Sequence, residues 1–115
     1  MKKVYFLSSC STCIRIINEL KLKEKKFVFQ DIKNEKITAE QLQEMKALSG
    51  SCEALFSRLA LKYKTLNPKP TTEVDYTKLI LSEYTFLKRP VIQIGNQIFI
   101  GNSKKNVEAA LLALG

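Results

Sequence analysis

The sequence predicts an α/β domain: a mixed sheet of pattern β-α-β…β-β-α carrying an inserted all-helical segment. Residues 2–32 place two apolar runs on either side of a stretch with helical spacing. The last third places two more runs around Gly95-Asn96 and then returns to helical spacing. Between them, over about 38–87, helix caps replace strand signals. The whole length of 115 residues is expected to form one domain, large enough to bury a core without disulfide staples.

The elements follow in order. Val4-Tyr5-Phe6-Leu7 is continuously apolar, as a central buried strand over 2–8 would be. Ile14, Ile17 and Leu20 recur at helical spacing, with Ser11 or Thr12 as the N-cap and Lys21 and Lys23 at the end that favours positive charge. Phe27-Val28-Phe29 with Asp31-Ile32 reads as a second strand, and a strand-helix-strand unit implies parallel pairing. Thr38 and Gln41 form a capping box ahead of Leu42, Met45 and Leu48, and Gly50 ends that helix. Ser51 is expected to cap a second helix through Leu55, Leu59 and Lys62. Asn67-Pro68-Lys69-Pro70 breaks the chain, and Thr72 with Asp75 opens a third helix carrying Tyr76, Leu79 and Ile80. Pro90–Ile94 and Gln97–Ile100 flank a hairpin signal. Ser103 caps a last helix bearing Val107, Ala110, Leu111 and Leu114.

Composition excludes several classes. Hydrophobic content of 45% and charged content of 26% are those of a soluble globular chain, and no apolar run approaches the roughly 18 residues of a membrane span. Met1-Lys2-Lys3 and Leu7-Ser8-Ser9-Cys10 imitate a lipoprotein signal, but the apolar stretch is shorter than the about 7–15 residues of an h-region. The net charge of +8 comes from scattered lysines with no interleaved aromatic platform, so a solvated surface is favoured over direct nucleic-acid binding. An acidic protein partner remains open. Histidine is absent, which excludes Ser-His-Asp and Cys-His catalysis and His-ligated zinc within this chain.

Three cysteines, two of them in Cys10-Ser11-Thr12-Cys13, do not make a secreted disulfide framework; they suggest a reducing, cytoplasmic setting and a functional thiol. The pair falls where the first strand gives way to the first helix. Unsatisfied N–H groups and the partial positive charge there favour a thiolate over a thiol. Such settings bring a cysteine from about 8.5 down to about 3.5–7.5. Cys10, nearer the helix start, is the expected nucleophile and Cys13 the resolving thiol. Two other readings stand beside this one: half of a zinc site, for which Cys52 supplies only one further sulfur, and a pair of inert core cysteines. Cys52 carries no motif and defaults to a buried or incidental residue.

With these pieces in place the chain resembles the arsenate reductase (ArsC)/Spx family, a branch of the thioredoxin-like, glutaredoxin-type fold. The matching pieces are Tyr5-Phe6 to Cys10-Ser11-Thr12-Cys13, Phe56-Ser57-Arg58 leading to Tyr63-Lys64, Leu87-Lys88-Arg89-Pro90-Val91, and Ile100-Gly101. They span essentially the whole chain, and their order and separations carry the likeness. The resemblance implies that Cys10 is the redox-active cysteine and Cys13 the second cysteine of a C-x-x-C switch. It implies that Arg89 precedes a cis-proline, Pro90, beside the nucleophile, and that Arg58 helps hold an oxyanion. A guanidinium suits both tasks, being permanently charged and able to grip a tetrahedral oxyanion with two parallel hydrogen bonds. On the residues alone, Arg58 and Arg89 could equally form ordinary surface salt bridges. One departure stands out: arsenate reductases of this type carry a further arginine after the last strand, where this chain has Asn102-Ser103-Lys104.

Two functions are therefore expected to compete. One is an ArsC-like thiol oxidoreductase with no bound cofactor, using glutathione or another thiol reductant and recycled by glutaredoxin or thioredoxin. The other is an Spx-like redox-sensing regulator that binds the RNA polymerase alpha subunit. A family member that keeps the fold without present activity is the bland third.

Overall fold

A computed structural model describes residues 2–115, which fall into two units. One comprises the chain up to Glu35 together with Arg89–Gly115; the other is Lys36–Lys88.

In the first unit, β1 (Lys2–Phe6), β2 (Val28–Asp31), β3 (Val91–Ile94) and β4 (Gln97–Ile100) form one sheet in the order β2-β1-β3-β4. The apolar run Val4-Tyr5-Phe6 thus takes a central position, as its two-sided hydrophobicity requires. β1 pairs parallel with β2, Phe6 opposite Asp31, through the crossover helix α1 (Ser11–Glu19). β3 runs antiparallel to β1 with Val91 opposite Tyr5, and β4 antiparallel to β3 with Ile100 opposite Val91. The β3–β4 hairpin turns at Gly95-Asn96, where Gly95 supplies a positive φ of 60° that a side chain would oppose. The fold class is the mixed α/β sheet expected.

One face of this sheet holds the core. Val4, Ile92, Phe29 and Phe99 are cross-strand neighbours, and Ile16, Ile17 and Leu20 of α1 pack on them with Ala110 of α4 (Lys104–Leu114). Each fully buried aliphatic side chain contributes about 1.5–3 kcal/mol. Several expectations about these helices need correcting. Cys10 itself is the N-cap of α1, not Ser11 or Thr12, with extended φ −95° and ψ 108°. The helix therefore begins one residue early, and its inward stripe is Cys13, Ile16, Ile17 and Leu20; Ile14 is only half-buried. α1 ends at Glu19, so Lys21 lies beyond it in the left-handed region at φ 56° and Lys23 falls in a 3₁₀ turn. In α4, capped by Ser103 Oγ accepting from the Asn106 N–H at 3.2 Å, Leu111 faces solvent rather than the sheet.

The second unit is helical. Thr38 caps α2 (Ala39–Ser49): its hydroxyl accepts from the Gln41 N–H at 3.0 Å while Gln41 accepts from the Thr38 N–H at 3.1 Å. Gly50 closes α2 at φ 95°. Thr72 and Asp75 repeat the reciprocal box at the start of α3 (Glu73–Ser82). The helix expected after Ser51 does not form. Ser51 Oγ accepts from the Ala54 N–H at 3.1 Å, but the segment yields only 3₁₀ turns at Glu53–Leu55 and Leu61–Thr65. Strand-like hydrogen bonds stop it: Ser57 N–H donates to Phe86 O at 2.6 Å and Lys88 N–H to Leu55 O at 2.8 Å, bridging Phe56 and Leu87. Phe56 is then fully buried, its ring 5.1 Å from Phe86 and 5.0 Å from Tyr76. Leu59, expected on a helix face, is 94% exposed. Among the described residues no helix is long and apolar enough to cross a membrane.

Candidate active site

Strand directions bring three turns to one end of the sheet in the first unit. β1 ends there at Phe6, β3 begins there at Val91, and β4 ends there at Ile100. The turns are residues 7–10, 89–90 and 101–103, and the Gly101 N–H donates to Pro90 O at 2.9 Å. The Arg89–Pro90 peptide bond is cis.

Cys10 occupies the first turn. Its N–H donates to Leu7 O at 2.9 Å, and its own carbonyl accepts from the Ile14 N–H at 3.2 Å, so its backbone is held from both sides. The side chain is half-buried, and the sulfur makes no formal capping bond as a neutral thiol. Ionised, it gains partners. Burial pushes the Cys10 thiol up, but the Cys13 N–H, the Cys13 thiol, the Thr12 N–H and the charge of Arg89 together hold it below the usual cysteine value. This is the helix-start effect with Cys10 as the cap residue itself.

Cys13 behaves oppositely because it faces the core. It is 0% exposed, and burial pushes its thiol up to about 12; the Cys10 sulfur adds to the rise, while the Leu7 backbone and Arg89 oppose it. One sulfur favours the anion and its neighbour stays a proton donor. All three cysteines are free thiols in this structure.

Cys10, Cys13, Arg89 and Pro90 are thus brought together within one unit. Arg58 lies in the other. There its guanidinium donates to Glu53 Oε2 at 3.0 Å and to the Tyr76 hydroxyl at 2.9 Å, with the Tyr76 ring 5.7 Å away. Cys52 is also in that unit and fully buried; Thr77 Oγ1 donates to its sulfur at 3.3 Å. Asn102, Ser103 and Lys104, where a further arginine is missing, are exposed. Asn102 and Lys104 line a groove of about 410 Å³ with Arg15, Glu19, Val107 and Glu108.

Sequence reading missed one pair. Ser8, in the Cys10 turn, donates to Asp31 Oδ2 at 2.5 Å; Asp31 ends β2 and also accepts from the Lys33 N–H at 3.2 Å and Asn34 Nδ2 at 3.0 Å. Ser and Asp are common turn residues, and nothing in their spacing marks a pair 23 residues apart.

No protein-family model and no curated protein matches the sequence. Solved structures do. A YffB protein superimposes with a TM-score of 0.78 at 23% identity, over 96% of this chain and 99% of its own. An arsenate reductase (ArsC) related protein from Brucella melitensis gives 0.71 at 22%, over 94% and 92%. The fold is ArsC-like. An arsenate reductase from Vibrio cholerae extends the likeness, with a TM-score of 0.78 at 15% identity over 96% of this chain and 95% of its own. In this ArsC-like chain the mixed sheet and α1 put a C-x-x-C pair at a strand-to-helix turn. At identities this low the likeness speaks for the fold, and the chemistry rests on the chain's own residues.

Proposed function

We propose that the chain is an ArsC-like thiol oxidoreductase in which Cys10 is the nucleophile and Cys13 the resolving thiol. The observation that carries it is the contrast between the two sulfurs: a half-exposed Cys10 thiol held low at the start of α1, and a buried Cys13 thiol pushed up to about 12.

The step follows from that contrast. Cys10 thiolate attacks one sulfur of an oxidised partner R–S–S–R′, forming Cys10–S–S–R and releasing R′–S⁻. Cys10 has then lost its negative charge, so its contribution to the high Cys13 value disappears and Cys13 becomes easier to ionise. Cys13 gives its proton to solvent or to the departing thiolate, attacks the Cys10 sulfur and expels R–S⁻. The protein is oxidised by two electrons and the partner reduced by two. Two glutathione thiols, or the dithiol of a glutaredoxin or thioredoxin, return them. In an arsenate-reducing version the same two electrons take As(V) to As(III), with loss of an oxygen as water. Lys104 offers a point charge where a guanidinium fork would serve that oxyanion, which weighs against arsenate as the substrate. Arg58 is already engaged with Glu53 and Tyr76, so the proposal rests on Cys10, Cys13 and Arg89.

Stoichiometric oxidation with glutathione disulfide, followed by mass analysis, tests this. The wild-type chain should lose two hydrogens and link Cys10 to Cys13, whereas Cys13→Ala should stop at a glutathione adduct on Cys10. Adducts spread over all three cysteines, or none on Cys10, would defeat the proposal. Turnover of arsenate with glutathione and glutaredoxin, against a Cys10→Ser control, decides the arsenate version.

A sensor of the Spx kind is the second reading, favoured by the same sulfur pair on a chain of net charge +8. It requires the domain to bind the RNA polymerase alpha subunit in one redox state. A pull-down with the alpha C-terminal domain that captures the chain in neither state removes it.

A further inference from the structure

The turn that presents Cys10 is short, with only Leu7 of it in the core, and a nucleophile on such a turn needs something to fix it. Ser8 and Ser9 are exposed; the Cys10 N–H to Leu7 O bond holds the turn from within and the Ile14 N–H to Cys10 O bond ties its end to α1, while Ser8 Oγ to Asp31 Oδ2 fastens its exposed part to β2. Asp31 is itself anchored. It lies opposite Phe6 in the sheet, its carboxylate accepts from the Lys33 N–H and Asn34 Nδ2, and its carbonyl accepts from the Asn34 and Glu35 N–H groups at 3.1 and 2.7 Å. The adjoining Ile32 N–H donates to Phe6 O at 2.9 Å. The end of β2 is therefore a rigid bracket, and Ser8 is fastened to it.

We propose that Asp31 and Ser8 are positioning residues for the Cys10 thiolate: their hydrogen bond fixes the turn so that the Thr12 and Cys13 N–H groups stay aimed at the sulfur. The inference rests on the reading of Cys10 as the nucleophile. Neither residue touches the reacting atoms. The hydrogen bond to Ser8 favours the Asp31 anion, so the bracket is charged at neutral pH; burial opposes this, and the Lys33 N–H and charge and the Ser8 N–H reinforce it. Electrostatics alone predicts the opposite effect of removing it. Asp31 is an anion on the same end of the sheet as a developing thiolate, so its deletion by charge alone would favour that thiolate.

The test is the pH profile of Cys10 alkylation by iodoacetamide, read on the Cys10 peptide by mass spectrometry. Wild type, Ser8→Ala, Ser8→Thr and Asp31→Ala are compared, with folding checked by circular dichroism. Positioning predicts that Ser8→Ala, which changes no charge, raises the midpoint by about half to one pH unit, the effect of weakening hydrogen bonds to an ion. Ser8→Thr restores it, and Asp31→Ala also raises it. A Ser8→Ala midpoint equal to that of wild type overturns the inference, as does a lowered midpoint in Asp31→Ala. If wild type itself titrates as an ordinary cysteine, the reading of Cys10 as an activated nucleophile fails first, and the bracket has nothing to position.

Discussion

Replacing Cys13 by alanine, in a Cys52→Ala background, isolates what one buried thiol does for its neighbour. The backbone N–H groups of Thr12 and Cys13 and the charge of Arg89 all survive this change; only the S–H donor to Cys10 is removed. A hydrogen bond to a charged group nets about 1.5–3 kcal/mol, and a thiol is a weak donor, so the loss should be near the bottom of that range. That corresponds to roughly one unit of pKa. Cys13 is 0% exposed in the α1 stripe, so losing its sulfur costs about 1–2 kcal/mol of stability from transfer and cavity together, which leaves the unit folded. The assay is the iodoacetamide profile of Cys10. Its midpoint should rise by about one unit; well below the midpoint the tenfold fall in thiolate is partly offset by greater nucleophilicity, leaving the rate down about threefold. A midpoint that stays put or falls would refute the claim that the Cys13 proton stabilises the Cys10 anion.

Other outcomes follow from the same geometry. Arg89→Gln should also raise the Cys10 midpoint, with Arg89→Lys recovering part of the shift, because the charge of Arg89 favours the anion; identical profiles for all three would argue against it. Cys13 makes stability fall in alkali: its folded value is raised to about 12, so its contribution is complete below the unfolded value near 9 and is lost as pH rises towards 12. Urea midpoints at pH 8 and pH 10 should therefore fall less in Cys13→Ala than in wild type. Glu73→Ala should cost about 2 kcal/mol in chemical denaturation, since its carboxylate accepts from the Cys52 N–H at 2.6 Å and the Glu53 N–H at 3.1 Å. Thr38→Ala and Thr72→Ala should each cost about 1 kcal/mol, with serine at either position close to neutral.

Local chemistry was legible where it agreed with the final packing. Thr38 with Gln41, Thr72 with Asp75, Ser103 before α4 and Gly95-Asn96 in the hairpin each announce an element boundary through their own side chains or φ preference. The C-x-x-C at a strand-to-helix turn was legible for the same reason. Reading failed where distant residues decided. Residues 51–62 carry helical spacing, yet bonding to Phe86 and Lys88 pulls Phe56 into an extended bridge and leaves Leu59 in solvent. The N-cap of α1 is Cys10 rather than Ser11 or Thr12; cysteine is not a habitual cap, whereas the serine and threonine beside it are among the favoured types. The attachment of Ser8 to Asp31 depends on strand register, which no short window reveals.

The helix that Cys10 caps also supplies Ile16, Ile17 and Leu20 to the sheet. On the proposed chemistry, the state of the Cys10 sulfur and the packing of α1 on the sheet therefore rise and fall together in this unit. Neutral-pH alkylation of residue 10 should serve as a built-in folding gauge, decaying to the rate of an unstructured peptide over the same urea range in which the helical signal vanishes.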